Sequence, residues 1–202
     1  MIVPGITSQS RLLEVAWAIG RPKMSPAGEV IKLLTPRIAV ESRARTLSAT
    51  YGRGPFPLHT DTAFWPVPCR YLIFRATGDV RRPTTVLSFA ELLENLGTKF
   101  RSLAEQSIWL ARTRERAFYC SMTFRVGNER CWRYDSQCMF PVNNAASQVE
   151  QILGRQIPGI EETDLEWEDD IAVVMDNWKV LHGRGPMPLD EKQRILERIY
   201  VE

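Results

Sequence analysis

The chain has 202 residues and a mass of 23.2 kDa, long enough to bury a sizeable core, and we predict one domain over residues 1–202. Its 26 Lys and Arg residues nearly balance 24 Asp and Glu residues, for a net charge of +2. This balance argues against nucleic-acid binding through phosphates. Apolar runs are short, and the first residues lack a signal-peptide pattern, so we expect a cytoplasmic protein with no membrane partner.

The cysteines could in principle pair or bind zinc, but no two of them form a Cys-x-x-Cys motif. They are Cys69, Cys120, Cys131 and Cys138. A compartment that keeps thiols reduced disfavours disulfides. The stretch between the first and last cysteine contains no histidine, which disfavours a zinc site. We therefore expect free thiols, most of them buried.

The first part of the chain predicts one helix and several short strands. Apolar residues at helical spacing predict a helix over Ser10–Gly20. Gly28–Leu34 is short, β-branched and bounded by prolines, so it predicts a strand. Glycines and a proline predict a loop at Tyr51–Pro55, which leads into a strand that carries the next motif. Dense aromatic and β-branched residues predict strands at Tyr71–Ala76 and Thr84–Leu87.

A capping box marks the start of the next helix. Ser88 stands three residues before Glu91, which predicts a helix over Phe89–Leu96 that ends at Gly97. A second short helix is predicted over Lys99–Gln106.

The remainder of the chain is mostly strand in pattern. Residues 108–135 read as strands, with a hairpin turn at Val126–Glu129 between Phe118–Arg125 and Arg130–Tyr134. One more helix is predicted over Ala145–Leu153. The last predicted strands are Leu165–Trp167, Ile171–Met175 and Arg194–Val201. Many short strands without regular strand–helix alternation favour a β-sandwich or jelly-roll barrel with a few peripheral helices.

The two histidines of the chain point to a metal site. In an extended strand, residues i and i+2 lie on one side, so His59 and Asp61 can present an imidazole and a carboxylate to one ion. His182 is the other imidazole available as a third ligand. Two histidines and one carboxylate form the donor set of facial non-haem Fe(II) sites. The alternative is a chance tripeptide whose histidine is an ordinary surface or hydrogen-bonded residue.

The C-terminal strand carries two arginines on one face. Arg194, Leu196 and Arg198 alternate along it, so their side chains point the same way. Arginines on the face of a mostly apolar strand need carboxylates or other anions opposite them. Arg198 could instead be a surface residue paired with Glu197 or Glu202.

These motifs together resemble the taurine dioxygenase and clavaminate synthase-like family of Fe(II)- and 2-oxoglutarate-dependent oxygenases. The matching pieces span residues 56–201 and are Phe56-Pro57-Leu58-His59-Thr60-Asp61, Asp176-Asn177, Leu181-His182-Gly183-Arg184 and Arg194-x-x-x-Arg198. The resemblance implies a mainly β fold with flanking helices, the double-stranded β-helix (jelly roll, cupin-like barrel). It also implies a dioxygenase that uses Fe(II), 2-oxoglutarate and O₂ to oxidise a small molecule, most often by hydroxylation, releasing succinate and CO₂.

The resemblance assigns roles to individual residues. The catalytic iron ligands would be His59, Asp61 and His182. Arg194 would bind the distal carboxylate of 2-oxoglutarate, which suits a guanidinium because it is always charged and binds carboxylates through two nitrogens. The threonine that joins this carboxylate in the family matches Thr85 best, and Thr84 is the competing position. Because Asp61 supplies a carboxylate ligand, a halogenase is disfavoured.

The substrate is less well defined by the sequence. Arg198 could contact 2-oxoglutarate or an anionic or zwitterionic substrate, and Arg184 and Arg133 are further candidate substrate contacts. Trp178 is a candidate pocket wall, although core packing is the simpler role for it. Neither the identity of the substrate nor the oligomeric state follows from the sequence.

Two other functions remain open at this point. One is a cupin-type metal-binding protein or metalloenzyme that holds Zn or Mn and does not use 2-oxoglutarate. The other is a degenerate, non-catalytic barrel that acts as a binding module.

Overall fold

A computed structural model describes residues 1–25, 27–35, 54–78, 83–154, 163–185 and 194–202. Within these ranges the helices are α1 (Gln9–Ile19), α2 (Phe89–Gln106) and α3 (Asn144–Leu153). The strands are β1 (Ile2–Pro4), β2 (Pro22–Lys23), β3 (Lys32–Leu34), β4 (Phe56–His59), β5 (Tyr71–Gly78), β6 (Thr84–Ser88), β7 (Ile108–Arg112), β8 (Ala117–Ser121), β9 (Thr123–Val126), β10 (Glu129–Trp132), β11 (Met139–Pro141), β12 (Thr163–Leu165), β13 (Ile171–Asp176), β14 (Val180–Arg184) and β15 (Arg194–Val201).

Two antiparallel sheets form the body of the fold. The larger has the order β1-β13-β5-β15-β2, with β3 also paired to β15, and the smaller has the order β12-β6-β14-β4. Side chains from both sheets form one apolar cluster, including Phe74 and Tyr200 from the larger sheet and Val86 and Val180 from the smaller. The interior between the sheets is therefore largely apolar.

The outer face of the larger sheet is covered by α1. Leu12 and Ala16 of this helix pack against Ile73, Ile199 and Val201. Strand β15 thus alternates as its sequence requires, with Ile199 and Val201 toward the helix and Leu196 and Tyr200 toward the interior. Arg194 and Arg198 share the inward parity of Leu196.

The smaller sheet is covered on its outer face by a second apolar cluster. This cluster joins Leu87 and Leu181 of the sheet to α2, α3 and the three-stranded sheet β11-β7-β8, and its largest members are Trp109, Phe89 and Phe100. The hairpin of β9 and β10 follows β8 along the chain, and its turn lies at Val126–Glu129 as predicted. Both faces of the smaller sheet are therefore buried.

Helix α2 unites the two helices that the sequence predicts on either side of Gly97. This glycine has φ 68° and ψ −166°, a conformation that side chains with a Cβ rarely adopt, and it kinks the helix. The Ser88 hydroxyl accepts a hydrogen bond from the amide of Ala90, which confirms the predicted cap.

Most other predicted elements are confirmed, with the following differences. The predicted strand Leu165–Trp167 shares only Leu165 with β12, and β1, β2 and β11 were not predicted. The predicted strand Gly28–Leu34 is reduced to its last residues, in β3. The predicted strand Phe118–Arg125 is divided between β8 and β9 at Met122. Strand β14 was not predicted, because its glycine and polar residues hide the strand pattern. Residues 51–53 of the predicted glycine-rich loop and Arg81-Arg82 lie outside the described residues.

The cysteine prediction is confirmed, since all four thiols are free and Cys69, Cys131 and Cys138 are buried. Among the described helices, none combines the length and apolar character needed to span a bilayer.

A buried ion pair lies between α1 and the larger sheet. Arg75 of β5 and Glu197 of β15 are cross-strand neighbours, with Nε and Oε2 2.7 Å apart. The Gln9 side-chain amide donates to the other oxygen of Glu197, and Arg75 also donates to the carbonyl of Ile6. The pair thus ties the N-terminal segment to the sheet.

We predict that Glu197→Ala lowers the free energy of unfolding by about 3–5 kcal/mol, because it leaves the Arg75 guanidinium buried without its carboxylate. Urea unfolding followed by circular dichroism measures this loss. The matched control is Glu14→Ala, which removes an exposed partner of Arg11 and should cost less than about 1 kcal/mol. Equal effects of the two substitutions would contradict the prediction.

Candidate metal centre

The two histidines meet across neighbouring strands of the smaller sheet. His182 of β14 is the register partner of His59 at the end of β4, and their ring centroids are 4.4 Å apart. The adjacent Gly183 allows the two strands to approach closely, since a Cβ there would lie 2.6 Å from the carbonyl oxygen of Phe56. Paired residues of an antiparallel ladder point to the same side, so both imidazoles face the interior.

Asp61 also lies beside the two histidines, but the backbone that positions it is not the extended strand that the sequence predicts. It does not continue strand β4 but lies in the turn that follows His59. Between them, Thr60 exchanges hydrogen bonds with Tyr134, donating from its amide at 2.7 Å and accepting at its hydroxyl at 3.1 Å. Thr60 therefore points away from the histidines.

The backbone of Asp61 is held by the side chain of Asn177. The Asn177 Oδ1 accepts from the Asp61 amide at 3.0 Å, and its Nδ2 donates to the Asp61 carbonyl at 3.0 Å and to the Cys69 carbonyl at 2.9 Å. Asn177 has no exposed surface. Its carboxamide therefore fixes both ends of the loop between residues 61 and 69.

The resulting triad has the composition and proximity of a metal site. One ligand atom from each of His59, Asp61 and His182 lies within 4.8 Å of the others, and all three side chains are buried. The Asp61 oxygens lie 3.8 Å from Nε2 of His59 and 3.7 Å from Nε2 of His182. Among the described residues, this is the one cluster of His, Cys, Asp and Glu side chains that could hold a metal ion.

The environment of His59 favours metal binding through Nε2. The Nδ1 of His59 lies 3.0 Å from the carbonyl oxygen of Pro57 and donates to it, which leaves the Nε2 lone pair facing Asp61. His182 is held by ring contacts, with its centroid 5.8 Å from that of Phe74. Two imidazoles and one carboxylate in a dry site fit a divalent transition metal such as Fe(II).

Arg198 is a direct partner of the proposed carboxylate ligand. Its Nη1 lies 3.0 Å from Oδ1 and 2.7 Å from Oδ2 of Asp61. The guanidinium also lies over the ring of Tyr200, 4.6 Å from its centroid, and Tyr200 contacts Trp65 edge-on. Arg198 is therefore neither a surface residue nor paired with Glu197, which lies on the opposite face of β15.

The charges of the site are strongly coupled. Burial acts to raise the pKa of Asp61, but the charge of Arg198 and the two imidazoles hold that pKa far below its usual range. Burial lowers the pKa of His182 to about 3, and the neighbouring His59 adds to this effect. Burial also acts to lower the pKa of His59, yet Asp61 and Asp135 outweigh it and raise that pKa above its ordinary value. His182 is thus neutral at physiological pH, as a metal ligand must be.

The other arginine of β15 is also buried. Arg194 has 4% of its surface exposed and pairs with Gly78 of β5, with the same inward parity as Arg198. Arg184, two residues beyond His182, is half-buried and lies over the ring of Phe56, 5.6 Å from its centroid. Arg194 and Arg184 thus occupy strand positions whose side chains point toward the interior between the two sheets.

The strand register changes the choice between the two candidate threonines. Val86 is the register partner of His182, so Thr84 lies on the face of the histidines and Thr85 on the opposite face. Thr85 pairs with Gly183, and its hydroxyl donates to Asp164 at 3.1 Å. The hydroxyl of Thr84 accepts from the indole of Trp167, a member of the interior cluster. The register therefore places Thr84, and not Thr85, on the face of the histidines, and which threonine binds the co-substrate stays a prediction.

Two predicted substrate contacts instead support the loop that carries Asp61. Arg133 donates to the carbonyls of Trp65 and Pro66, each at 2.9 Å, and its guanidinium lies over the ring of Phe124. Trp178 is buried, and its indole donates to the carbonyl of Pro68 at 2.9 Å. Their polar groups bind backbone carbonyls, and a role of either residue in substrate binding stays a prediction.

Two contacts were not predicted from the sequence. Arg133 binds backbone carbonyls of the loop after Asp61, and Arg198 binds the Asp61 carboxylate. Arg133 carries no local signal, because its partners lie 67 to 70 residues earlier in the chain. Asn177 was singled out only as part of the motif Asp176-Asn177, and its contact with the Asp61 backbone was not predicted.

No protein-family model matches the sequence, and no curated protein sequence matches it. Similar solved structures do exist. The crystal structure of asparagine oxygenase in complex with Fe(II), 2S,3S-3-hydroxyasparagine and succinate has a TM-score of 0.75 at 16% identity, over 94% of this chain and 63% of that one.

The crystal structure of the non-heme iron oxygenase OrfP in complex with Fe and alpha-ketoglutaric acid has a TM-score of 0.70 at 20% identity, over 96% of this chain and 63% of that one. For the PvcB protein from Pseudomonas aeruginosa the TM-score is 0.68 at 16% identity, over 96% of this chain and 71% of that one. The chain thus spans about two thirds of the length of these proteins. At these identities the likeness shows the fold, and the predicted jelly roll is confirmed.

We predict that Asn177→Ala weakens divalent metal binding by about tenfold, because the Asp61 backbone loses both of its side-chain partners and the ligand is no longer held in place. The unpaired buried amide and carbonyl should also lower the free energy of unfolding by about 2 kcal/mol or more. Metal titration and urea unfolding measure the two effects. The control is Asn95→Ala, at an exposed position of α2, and a metal affinity equally reduced in both variants would contradict the prediction.

Proposed function

We propose that this protein is an Fe(II)- and 2-oxoglutarate-dependent dioxygenase that hydroxylates a small amino-acid-like substrate. The observation that carries the proposal is the convergence of His59, Asp61 and His182 in a buried site, with Arg194 and Arg198 on the inward face of the opposing sheet. The fold adds support, because it is shared with crystal structures of iron oxygenases.

In this proposal the triad holds the metal through Nε2 of His59, Nε2 of His182 and one oxygen of Asp61. When bound, Fe(II) with 2-oxoglutarate and O₂ supplies the oxidation that places a hydroxyl group on the substrate and releases succinate and CO₂. Three ligands on one side leave coordination positions for the co-substrate and for O₂. The residues around the triad keep it dry and fix its orientation.

Arg194 would bind the distal carboxylate of 2-oxoglutarate, and the hydroxyl of Thr84 would support it. A buried guanidinium that faces the interior of the fold suits a carboxylate, since the pair forms two charge-assisted hydrogen bonds. Thr84 lies on the histidine face of the smaller sheet, across the interior from β15. The two residues would thus hold the co-substrate from opposite sheets.

Arg198 would recognise an anionic group of the substrate. One of its nitrogens contacts Asp61, and within the described residues its Nε has no hydrogen-bond partner. Two similar crystal structures are complexes with hydroxylated amino acids, 3-hydroxyasparagine and (3S)-hydroxy-L-Arg. Both molecules carry an α-carboxylate, which is the group that a guanidinium next to the metal site would bind. Arg184 remains a further candidate for a substrate contact.

The first test is succinate formation by the purified protein with Fe(II), 2-oxoglutarate, ascorbate and a panel of amino acids. We expect 2-oxoglutarate-dependent succinate release that is lost in His59→Ala, because removal of one ligand abolishes the facial site. The proposal fails if metal binds but no succinate forms with or without amino acids.

Arg194→Leu is expected to weaken 2-oxoglutarate binding by about 10- to 100-fold, because a charge-assisted bond to a buried carboxylate is lost. Metal affinity should stay unchanged, since Arg194 is not a partner of the triad. Isothermal titration with 2-oxoglutarate in the presence of Mn(II) measures both. The matched control is Arg125→Leu, on the exposed hairpin. Retained 2-oxoglutarate affinity in Arg194→Leu would favour a cupin-type metal protein instead.

The paired variants Thr84→Val and Thr85→Val test the strand register. Thr84→Val should weaken 2-oxoglutarate binding by about three- to tenfold, because one hydrogen bond is lost. Thr85→Val should leave that affinity unchanged, since its hydroxyl faces Asp164. The reverse pattern in the same titration would restore Thr85 as the co-substrate ligand.

A further inference from the structure

Two positively charged groups, Arg198 and a metal ion at the triad, could bind the carboxylate of Asp61. Nη1 of Arg198 lies within hydrogen-bond distance of both of its oxygens, at 3.0 and 2.7 Å. The same oxygens lie 3.7 and 3.8 Å from the two imidazole Nε2 atoms with which Asp61 would share a metal. The guanidinium of Arg198 would therefore compete with a divalent cation at the triad for one buried carboxylate.

The geometry sets how these two charges interact. Arg198 is always charged, and its side chain is only 15% exposed, so little solvent screens it from the triad. A cation that binds Asp61 would be coordinated by one carboxylate oxygen. The negative charge available to Nη1 of Arg198 would then be smaller. The attraction that holds Arg198 on Asp61 is thereby weakened, while the guanidinium remains buried and needs an anion.

Arg198 has hydrogen-bond donors that could bind a second partner. Asp61 occupies only one of its nitrogens, and Nε has no hydrogen-bond partner among the described residues. The guanidinium rests on the ring of Tyr200, a flat surface over which it can shift without losing its packing. Its cross-strand neighbour on β5 is Phe74, and the ring of Tyr200 also contacts Trp65. Neither of these apolar side chains offers a competing carboxylate.

We propose that Arg198 is a shared partner that links metal binding to anion binding: the divalent metal displaces the guanidinium from Asp61, and the released guanidinium then binds the carboxylate of the substrate. This inference rests on the proposed function and specifies the order of binding within it. The metal binds first, and an anionic substrate binds tightly only afterwards. By thermodynamic reciprocity, an anion on Arg198 must strengthen metal binding by the same factor.

The linkage predicts an unusual direction for one substitution. A residue that merely orients a metal ligand weakens metal binding when it is removed, commonly by about 10- to 100-fold. Arg198 competes for the ligand, so Arg198→Leu should instead tighten metal binding. The same substitution should remove any dependence of metal affinity on added carboxylates.

The experiment measures Mn(II) affinity by electron paramagnetic resonance, without 2-oxoglutarate, so that no catalytic turnover is involved. Arg198→Leu is expected to bind Mn(II) about tenfold more tightly than the parent protein. Arg198→Lys keeps the charge without the planar fork and should lie between the two. The control is Arg75→Lys, a buried arginine paired with Glu197 on the other face of the same sheet, whose Mn(II) affinity should match that of the parent.

A second titration uses the parent protein alone, so that the test does not depend on the folding of a variant. Acetate replaces chloride at constant ionic strength, and the Mn(II) affinity of the parent protein is expected to rise with acetate. Unchanged or weaker Mn(II) binding in a folded Arg198→Leu, or no acetate effect in the parent, would overturn the linkage alone. Failure of the parent protein to bind Mn(II) or Fe(II) at all would overturn the proposed function as well.

Discussion

The carboxylate of Asp61 is buried between two imidazoles, and separate parts of the fold hold its backbone and its side chain. Asn177 binds the Asp61 amide and carbonyl, while Arg198 binds both carboxylate oxygens. Arg133 and Trp178 bind the carbonyls of the loop that follows. A buried carboxylate is costly unless it is paired and oriented, and here the pairing and the orientation come from different sheets and loops. The position of the Asp61 carboxylate beside the two imidazoles depends on this convergence.

The architecture explains how a small fold brings these groups together. His59 and His182 come from neighbouring strands of the smaller sheet, and Arg194 and Arg198 come from a central strand of the larger one. The two sheets face each other across an apolar interior, so charged side chains on their inner faces are isolated from water. Alternation along β15 sends Glu197 to the opposite face, where it pairs with Arg75 under α1. One strand thus carries the candidate site on one face and a structural ion pair on the other.

Local sequence patterns predicted those helices, strands and turns whose residue types favour the backbone conformation they adopt. Helix α1, strand β5, the cap at Ser88 and the turn at Val126–Glu129 were all predicted from spacing and residue type. Strand β14 was missed, because Gly183 and the polar residues around it suit a loop as well as a strand. Its strand conformation comes from pairing with β4 and β6, and those partners lie about 100 residues away in the chain. Propensity cannot report such long-range pairing.

The sequence alone determined which residue types the site contains. With two histidines in the whole chain and one aspartate two residues from the first, the donor set followed from composition and spacing, and the strand period placed the two arginines on one face. The tertiary structure decided what these groups contact. It places Asp61 in a loop after strand β4, puts Thr84 and not Thr85 on the face of the histidines, and brings Arg198 into contact with Asp61. These contacts join residues far apart in sequence, so their geometry is fixed by how the two sheets pair and face each other.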